Sequence, residues 1–357
     1  MRTGSANLPL HTGYAPPWLF KRMVKLAREI FSLLVIEFGP SEALSKLSDP
    51  YWFQALGCVL GFDWHSSGLT TTTCGAIKEG LKELEGEIGL FVCGGKGRVS
   101  RSTPDQIRAK ADVSLEPERL VYASRMSAKV DSAAVQDGYQ IYQHTFFFDR
   151  SGSWAVVQQG MNETTRWARR YHWLSSGVED FVCEPHAAVC SDEKSDTTLN
   201  MVAREADDSR RVSAEIARER PDKALREIER ANELALPARH EVSLADINPR
   251  RLQKILLHTY EQPPQGFEQL LATEGVGAKT IRALAMIADL VYGAPMCHRD
   301  PVAYSFAHGG KDGTPYPVDR ANYDKSISVV KKAVERAKLG QSETTDALRR
   351  LSRFYQF

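Results

Sequence analysis

The sequence lacks any segment that could anchor it in a membrane. Its longest apolar run, residues 30–36, is about a third of the ~20 residues that a transmembrane helix needs, and charged residues flank it. The N-terminal stretch also has no apolar segment of the ~7–15 residues typical of a signal peptide. We therefore expect a cytoplasmic protein with no membrane partner.

An excess of charge of one sign is missing as well. Lys and Arg number 46 against 45 Asp and Glu, a formal net charge of +1, so no global basic field predicts a nucleic-acid partner. Such a partner has to be recognised from local patches. Hydrophobic residues make up 42% of the 357 residues, which is enough for two or three cores and excludes a disordered chain.

Cysteine is scarce, and its spacing excludes the common structural zinc sites. None of the six cysteines forms a CxxC pair, and in the cytoplasm we expect them to be reduced. One local group, Cys183, His186 and Cys190, places three soft ligands within eight residues. It is either a zinc site that takes a fourth ligand from elsewhere or a loop with incidental polar residues.

The hydrophobic patterning that is present predicts an α+β fold. Apolar residues recur every three or four positions over residues 18–38, and helix signals return over 41–47 and after the threonine run 70–73. This pattern is typical of a helical N-terminal region, residues 1–92.

A change of pattern near Cys93 indicates a mixed α/β middle domain, residues 93–198, as the candidate catalytic domain. Its residues 140–149 and 153–160 are rich in aromatic and β-branched side chains and flank an Asp-Arg-Ser-Gly turn, which predicts a β-hairpin. Alternating acids and bases over 199–239 predict a charged helical connector. Residues 240–357 read as an all-α domain with a basic helical tail.

The motif with the clearest mechanism lies between residues 266 and 293. Apolar spacing predicts two helices joined by a tight turn, in which Gly275 and Gly277 permit the bend and Val276 anchors it inward. Backbone N–H groups of the turn and of the next helix then point outward as an anion site, with Lys279 and Thr280 beside it. The stretch resembles a helix-hairpin-helix element, which implies sequence-neutral binding of DNA phosphates by these five residues.

Two features of this motif leave alternatives open. Glu274 stands where many helix-hairpin-helix elements carry proline, so a plain αα-hairpin is the competing interpretation. The GVGAKT sequence also resembles base-excision glycosylases of this class, with Lys279 as the amine and Asp319 as the activating carboxylate. The two residues are 40 positions apart, a longer separation than in that class.

Several segments of the sequence together resemble one family of archaeal and thermophilic-bacterial proteins that is catalogued only as a domain of unknown function. They are LPLHTG, ASRMSAKVD, QDGYQIYQH, WAVVQQGMN and ARRYHWL, and they are spread over most of the chain. The resemblance implies a DNA-processing role, with a metal-dependent nuclease domain joined to a helix-hairpin-helix.

A metal-dependent nuclease needs carboxylates, often with histidines, around divalent cations. The middle domain offers Asp131, Asp137 and His144 as ligands for Mg²⁺ or Mn²⁺, and Asp137, His144, Lys129 and His172 as catalytic candidates. The candidates to hold the DNA phosphate are Arg169 and Arg170. No carboxylate-x-lysine pair or HNH pattern is present, so the common restriction-type and HNH sites are not supported.

Strand alternation restricts which side chains can share a site. In the first strand of the hairpin it places Tyr142 and His144 on one face and Gln143 on the other. Gln158 and Gln159 point to opposite faces of the second strand, so only one of them can join His144.

A glycine-rich basic loop follows Cys93, with Lys96, Arg98 and Arg101 as candidates to contact DNA. It lacks the GxxxxGK[ST] pattern, so nucleotide hydrolysis of the P-loop type is not expected. The loop is either a mobile phosphate-binding segment or a simple surface turn.

The leading hypothesis is a Mg²⁺- or Mn²⁺-dependent nuclease that acts on branched or single-stranded DNA. The second is a DNA glycosylase or abasic-site lyase that uses Lys279 and Asp319. The third is a non-catalytic DNA-binding adaptor in a complex with repair proteins.

Overall fold

The computed structural model describes residues 15–62, 67–191, 194–195, 197–223, 226 and 249–302. The α+β prediction is confirmed, because helices pack on both faces of an antiparallel sheet. None of the helices in these ranges is long and apolar enough to span a membrane.

Four helices form the N-terminal part as far as residues 15–62 and 67–81 describe it. They are α1 (Pro17–Phe38), α2 (Pro40–Ser48), α3 (Pro50–Leu60) and α4 (Gly68–Leu81). The first three each begin at a proline, whose fixed φ suits the first helical position and whose missing N–H is not needed there. Asp49 caps α3, since its Oδ1 accepts hydrogen bonds from the backbone N–H groups of Tyr51 and Trp52.

The middle part contains the sheet and short helices. In chain order the elements are α5 (Glu85–Ile88), β1 (Leu90–Lys96), α6 (Arg98–Arg101), α7 (Thr103–Lys110), α8 (Pro117–Lys129), a π-helical segment (Val130–Ala134), β2 (Val135–Gln136), β3 (Gln140–Asp149), β4 (Trp154–Met161), β5 (Ala168–Leu174), β6 (Ala188–Cys190) and β7 (Leu199–Asn200). Five strands form one antiparallel sheet in the order β1-β3-β4-β5-β6, and β2 pairs with β7. The predicted hairpin is β3–β4, and the predicted boundary at residue 93 falls inside β1.

The sheet separates two hydrophobic cores. On one face Phe147 and Val157 pack under the N-terminal helices α1 to α4. On the other face Phe146, Val156 and Trp173 join the core made by α8 and the C-terminal helices. Adjacent residues of one strand therefore serve different cores, as strand alternation requires.

A β-bulge changes the alternation at the start of β3. The β3–β4 register shifts between Ile141 and Gln143, and the Tyr142 hydroxyl lies 2.5 Å from Gln159 Nε2. The predicted placement of Tyr142 with His144 is thus wrong, because the extra residue of the bulge directs Tyr142 toward the side chain on the opposite face.

The C-terminal helices complete the second core. They are α9 (Asp207–Arg218), α10 (Pro249–Glu261), α11 (Phe267–Ala272) and α12 (Ala278–Tyr292). Of the alternating charges over 199–239 that predicted a connector, those of residues 207–218 belong to α9, where Arg211 pairs with Asp208 and Glu215, and those of residues 227–239 lie outside the described residues. Its inner side is buried through Val212 and Ile216, so α9 is a packed helix of this core.

Candidate functional site

The helices α11 and α12 form a tight helical hairpin, which we call the Gly275–Gly277 hairpin after its turn. Gly275 has a φ of +83°, a left-handed conformation that favours glycine. Val276 is only 3% exposed and points into the core, as the sequence pattern predicted. The turn is therefore anchored by one apolar side chain while its glycines remain at the surface or only partly buried.

The first turn of α12 has the electrostatics of an anion site. Its N-cap, Gly277, provides no side-chain hydrogen bond, and no acidic residue lies in the first turn. Lys279 is exposed beside it, whereas Thr280 is 5% exposed and faces inward. Unpaired N–H groups and the positive end of the helix dipole attract anions at such a position, although Glu274 is exposed in the turn and opposes this attraction.

Lys129, a predicted catalytic residue, supports this hairpin. Its Nζ donates a hydrogen bond of 2.9 Å to the Thr273 carbonyl oxygen in the turn. Burial lowers the pKa of Lys129, and Glu274 opposes that shift. The lysine thus connects the end of α8 to the hairpin.

The glycine-rich basic sequence forms the end of the edge strand β1 and the short helix α6. The side chains of Lys96, Arg98 and Arg101 are exposed there, in agreement with a surface role. The strand is held close to β3 at Gly94, where a methyl group would lie 2.3 Å from the His144 carbonyl oxygen. This close approach explains why a glycine occupies that position.

A buried cluster around Asp131 lies between the π-helical segment and the sheet. Its Oδ1 contacts His186 Nε2 at 2.5 Å, and its Oδ2 accepts hydrogen bonds from Trp173 Nε1 at 3.0 Å and from Gln158 Nε2. Asp131, Trp173 and Gln158 are 0% exposed, and the side chain of His186 is 7% exposed. The cluster is therefore almost fully enclosed by protein.

His144 joins this cluster through Gln158. Of Gln158 and Gln159, strand alternation allows only one to share the face of His144, and that one is Gln158. Because Gln158 Nε2 donates to Asp131 and to the Ser127 carbonyl oxygen, its Oε1 faces His144 Nδ1 at 2.8 Å. The imidazole therefore carries its proton on Nδ1, and Nε2 accepts from Ser124 Oγ at 2.9 Å. Burial lowers the pKa of His144, so it stays neutral. This chain of hydrogen bonds fixes α8 on the sheet.

Asp137 belongs to a second buried group on the same face. Its Oδ2 accepts from Arg169 Nη1 at 2.9 Å and from the Tyr171 hydroxyl at 2.6 Å, and its Oδ1 accepts from the Tyr139 N–H. Arg169 also donates to Asp300 at 2.9 Å. Burial raises the pKa of Asp137, against the opposing effect of the guanidinium.

Arg170 and His172 point to the opposite face of the sheet, beneath the N-terminal helices. Arg170 donates to His172 Nε2 at 2.9 Å and to Gln54 Oε1 at 2.8 Å. Burial and the neighbouring guanidinium lower the pKa of His172 well below its usual range. His172 is therefore separated by the sheet from His144 and Asp137, and neither Arg169 nor Arg170 is open to a phosphate, since both are 0% exposed.

The predicted ligands of Mg²⁺ or Mn²⁺ do not fit a metal in this arrangement. Both oxygens of Asp131, both oxygens of Asp137 and both ring nitrogens of His144 are engaged by protein groups. Cys190 is buried beside Arg170 and His186 faces Asp131, so the suggested zinc ligands point apart. Within the described ranges, no three His, Cys, Asp or Glu side chains are grouped to hold a metal ion.

The comparison with protein families decides what this chain is related to. The family described as "Protein of unknown function (DUF763)" matches residues 4–318. The chain belongs to this family. No curated protein and no solved structure matches it. The predicted membership of a family known only as a domain of unknown function is thereby confirmed, while the archaeal origin, the helix-hairpin-helix and the activity of this DUF763 protein stay predictions.

Sequence reasoning about this DUF763 protein missed the partners that complete the buried groups. Ser124, Trp173 and Asp300 were not recognised as partners of His144, Asp131 and Arg169. A signal for Ser124 existed, because α8 buries Leu120, Val121, Ser124 and Ser127 at helical spacing. Asp319 lies outside the described residues, as does the whole of the predicted basic tail.

Proposed function

We propose that this DUF763 protein is a DNA-binding protein of DNA processing, which holds the phosphate backbone without reading the bases. One observation carries the proposal: the Gly275–Gly277 hairpin presents the first turn of α12 with no acidic residue and no side-chain cap. Val276 is buried beneath the turn, and Lys279 is exposed at the start of the helix.

The chemistry of this surface fits a phosphate. The backbone N–H groups of a first helical turn and a lysine ammonium can donate hydrogen bonds to any phosphodiester, whatever base it carries. Such contacts release counterions from DNA, so binding should weaken steeply with salt and depend little on sequence.

DNA binding is tested directly by fluorescence anisotropy with two labelled 20-base-pair duplexes of unrelated sequence, over 50–200 mM salt. We expect equal affinity for both duplexes. Lys279→Gln should reduce the magnitude of the slope of log affinity against log salt by about 0.9, which is about eightfold in affinity at 0.1 M salt. Lys21→Gln on the exposed side of α1 removes one cation behind the other face of the sheet and is the matched control. If Lys279→Gln binds like the wild type, the hairpin is not the binding element.

The enzymatic part of the proposal is hydrolysis of phosphodiesters in branched or single-stranded DNA with Mg²⁺ or Mn²⁺. Its support is the family resemblance alone, because the candidate ligands in the described residues do not fit a metal as they are arranged. The bound state would have to release donor atoms that are now hydrogen-bonded within the protein, so we assign no catalytic step to them.

The nuclease is tested with end-labelled single-stranded, forked and duplex DNA in Mg²⁺, Mn²⁺ or EDTA. His186→Gln is the better first variant, because Asp137→Ala would leave Arg169 without one of its two carboxylates and unfold the site. Cutting that EDTA abolishes would support the nuclease. Borohydride trapping on abasic DNA would instead support the glycosylase or lyase, and binding without either reaction would support the adaptor with its repair-protein partners.

A further inference from the structure

Helix α10 packs directly against the turn of the Gly275–Gly277 hairpin. A methyl group at Gly275 would lie 3.5 Å from Ile255 Cγ1, so the isoleucine side chain lies at the turn. Leu252, Ile255 and Leu256 are all buried in the core. The exposed side of α10 is consequently held in a fixed orientation relative to the hairpin.

The exposed side of α10 is cationic near its beginning. Arg250 and Lys254 are exposed and four residues apart, so they lie on one face of the helix. Neither forms an ion pair with a carboxylate in the described part of the chain. Arg251 is exposed beside them, and the sole acid of α10 is Glu261 at its last position.

This arrangement is unfavourable for the isolated helix. Basic side chains in a first turn lie at the positive end of the helix dipole, where acids are preferred. Helices α2, α7, α8 and α9 follow that preference with at least one acid in the first turn. Helices α10 and α12 reverse it, since their first turns contain Arg250, Arg251 and Lys279 and no acid. The four-residue helix α6 also has an arginine and no acid in its first turn, but α10 is the helix that packs against the turn leading into α12.

We propose that the Arg250–Lys254 face of α10 and the hairpin form one continuous surface for the DNA backbone. This inference rests on the proposed DNA binding and adds a second contact region to it. The hairpin holds one phosphate, and Arg250 and Lys254 hold phosphates further along the duplex. The backbone of DNA supplies the negative charge that the first turn of α10 lacks.

The test uses the full-length protein in the anisotropy assay over the same salt range. The variant Arg250→Gln/Lys254→Gln removes two cations spaced i and i+4. Its control, Lys21→Gln/Lys25→Gln, removes two exposed cations with the same spacing from α1. We expect the first double variant to lower the magnitude of the salt slope by about 1.8 and the affinity about 60-fold at 0.1 M salt. The control should bind like the wild type, and circular dichroism should show both variants folded.

The possible results separate this inference from the proposed function. Normal affinity of the α10 variant with weakened binding of Lys279→Gln would overturn the α10 contact and leave hairpin binding intact. An equal loss in the α1 control would also overturn it, because the effect would then come from net charge. Wild-type protein that does not bind DNA would overturn both proposals.

Discussion

Acidification should destabilise the protein through His172. Arg170 Nε donates to His172 Nε2, and His172 Nδ1 donates to the Leu47 carbonyl oxygen, each at 2.9 Å. A guanidinium N–H can only donate, so Nε2 must be an unprotonated acceptor. A proton on His172 Nε2 would face the N–H of Arg170 Nε, and it would add a second positive charge beside the guanidinium at a site with 0% exposure. The lowered pKa of His172 follows from this burial and from Arg170.

The size of the effect follows from proton linkage. The unfolded histidine takes up a proton near pH 6.5 and the folded one does not, so the unfolded state gains free energy as the pH falls below that value. The contribution of His172 is fully present above pH ~7 and is lost on the way down to its low folded pKa. The loss of this contribution should reduce the free energy of unfolding by about 1.4 kcal/mol at pH 5.5 and about 2 kcal/mol at pH 5.

Urea unfolding followed by circular dichroism between pH 5 and 8 measures this contribution. His172→Gln keeps an acceptor for Arg170 but cannot titrate, so its stability should depend less steeply on pH than that of the wild type. Gln54→Ala removes another partner of Arg170 and controls for general loss of stability; it should keep the wild-type pH dependence. Parallel pH curves for the wild type and His172→Gln would refute the assigned protonation state.

Three further variants probe other parts of the fold. Gly275→Ala should lower the free energy of unfolding by about 1 kcal/mol, because the φ of Gly275 is +83°. Gly277→Ala should lower it less, because the φ of Gly277 is −147° and no atom lies within 4 Å of the added methyl group. Urea unfolding compares the two variants. Asp137→Ala should lower the free energy of unfolding by roughly 3–5 kcal/mol, since it leaves Arg169 buried with one carboxylate fewer, and normal stability would show that the ion pair contributes little. Gly94→Ala should fail to fold or lose most of its thermal stability, because its methyl group would lie 2.3 Å from a backbone oxygen of β3, and an unchanged melting temperature would contradict this packing.

Periodicity predicted the elements that depend on local sequence. The helix over 18–38, the β-hairpin of β3 and β4, and the buried anchor at Val276 all follow from the spacing of apolar residues and from turn residues. The pairing of His144 with Gln158 follows from alternation and cross-strand register as well. These features require only neighbours along the chain or across one hairpin.

The candidate site was less predictable because its partners come from distant positions. His186 reaches Asp131 across 55 residues, and Asp300 reaches Arg169 across 131. Residue type alone grouped His172 with His144, although the β5 register directs it to the other face. The β-bulge at Tyr142 likewise leaves no clear mark in the residue pattern, since its effect depends on how β3 pairs with β4.

The π-helical segment after α8 restricts the length of the chain at that point. A π turn contains one residue more than an α turn, so deletion of a single residue between α8 and β2 would allow regular α geometry. If the deleted residue were Val130, the repair would rotate the following residues by about 100° around the helix axis and turn Asp131 away from His186. Relatives that keep this carboxylate and its partners should therefore align here without insertions or deletions, and the phrase ASRMSAKVD is expected to be preserved in length as strictly as in composition.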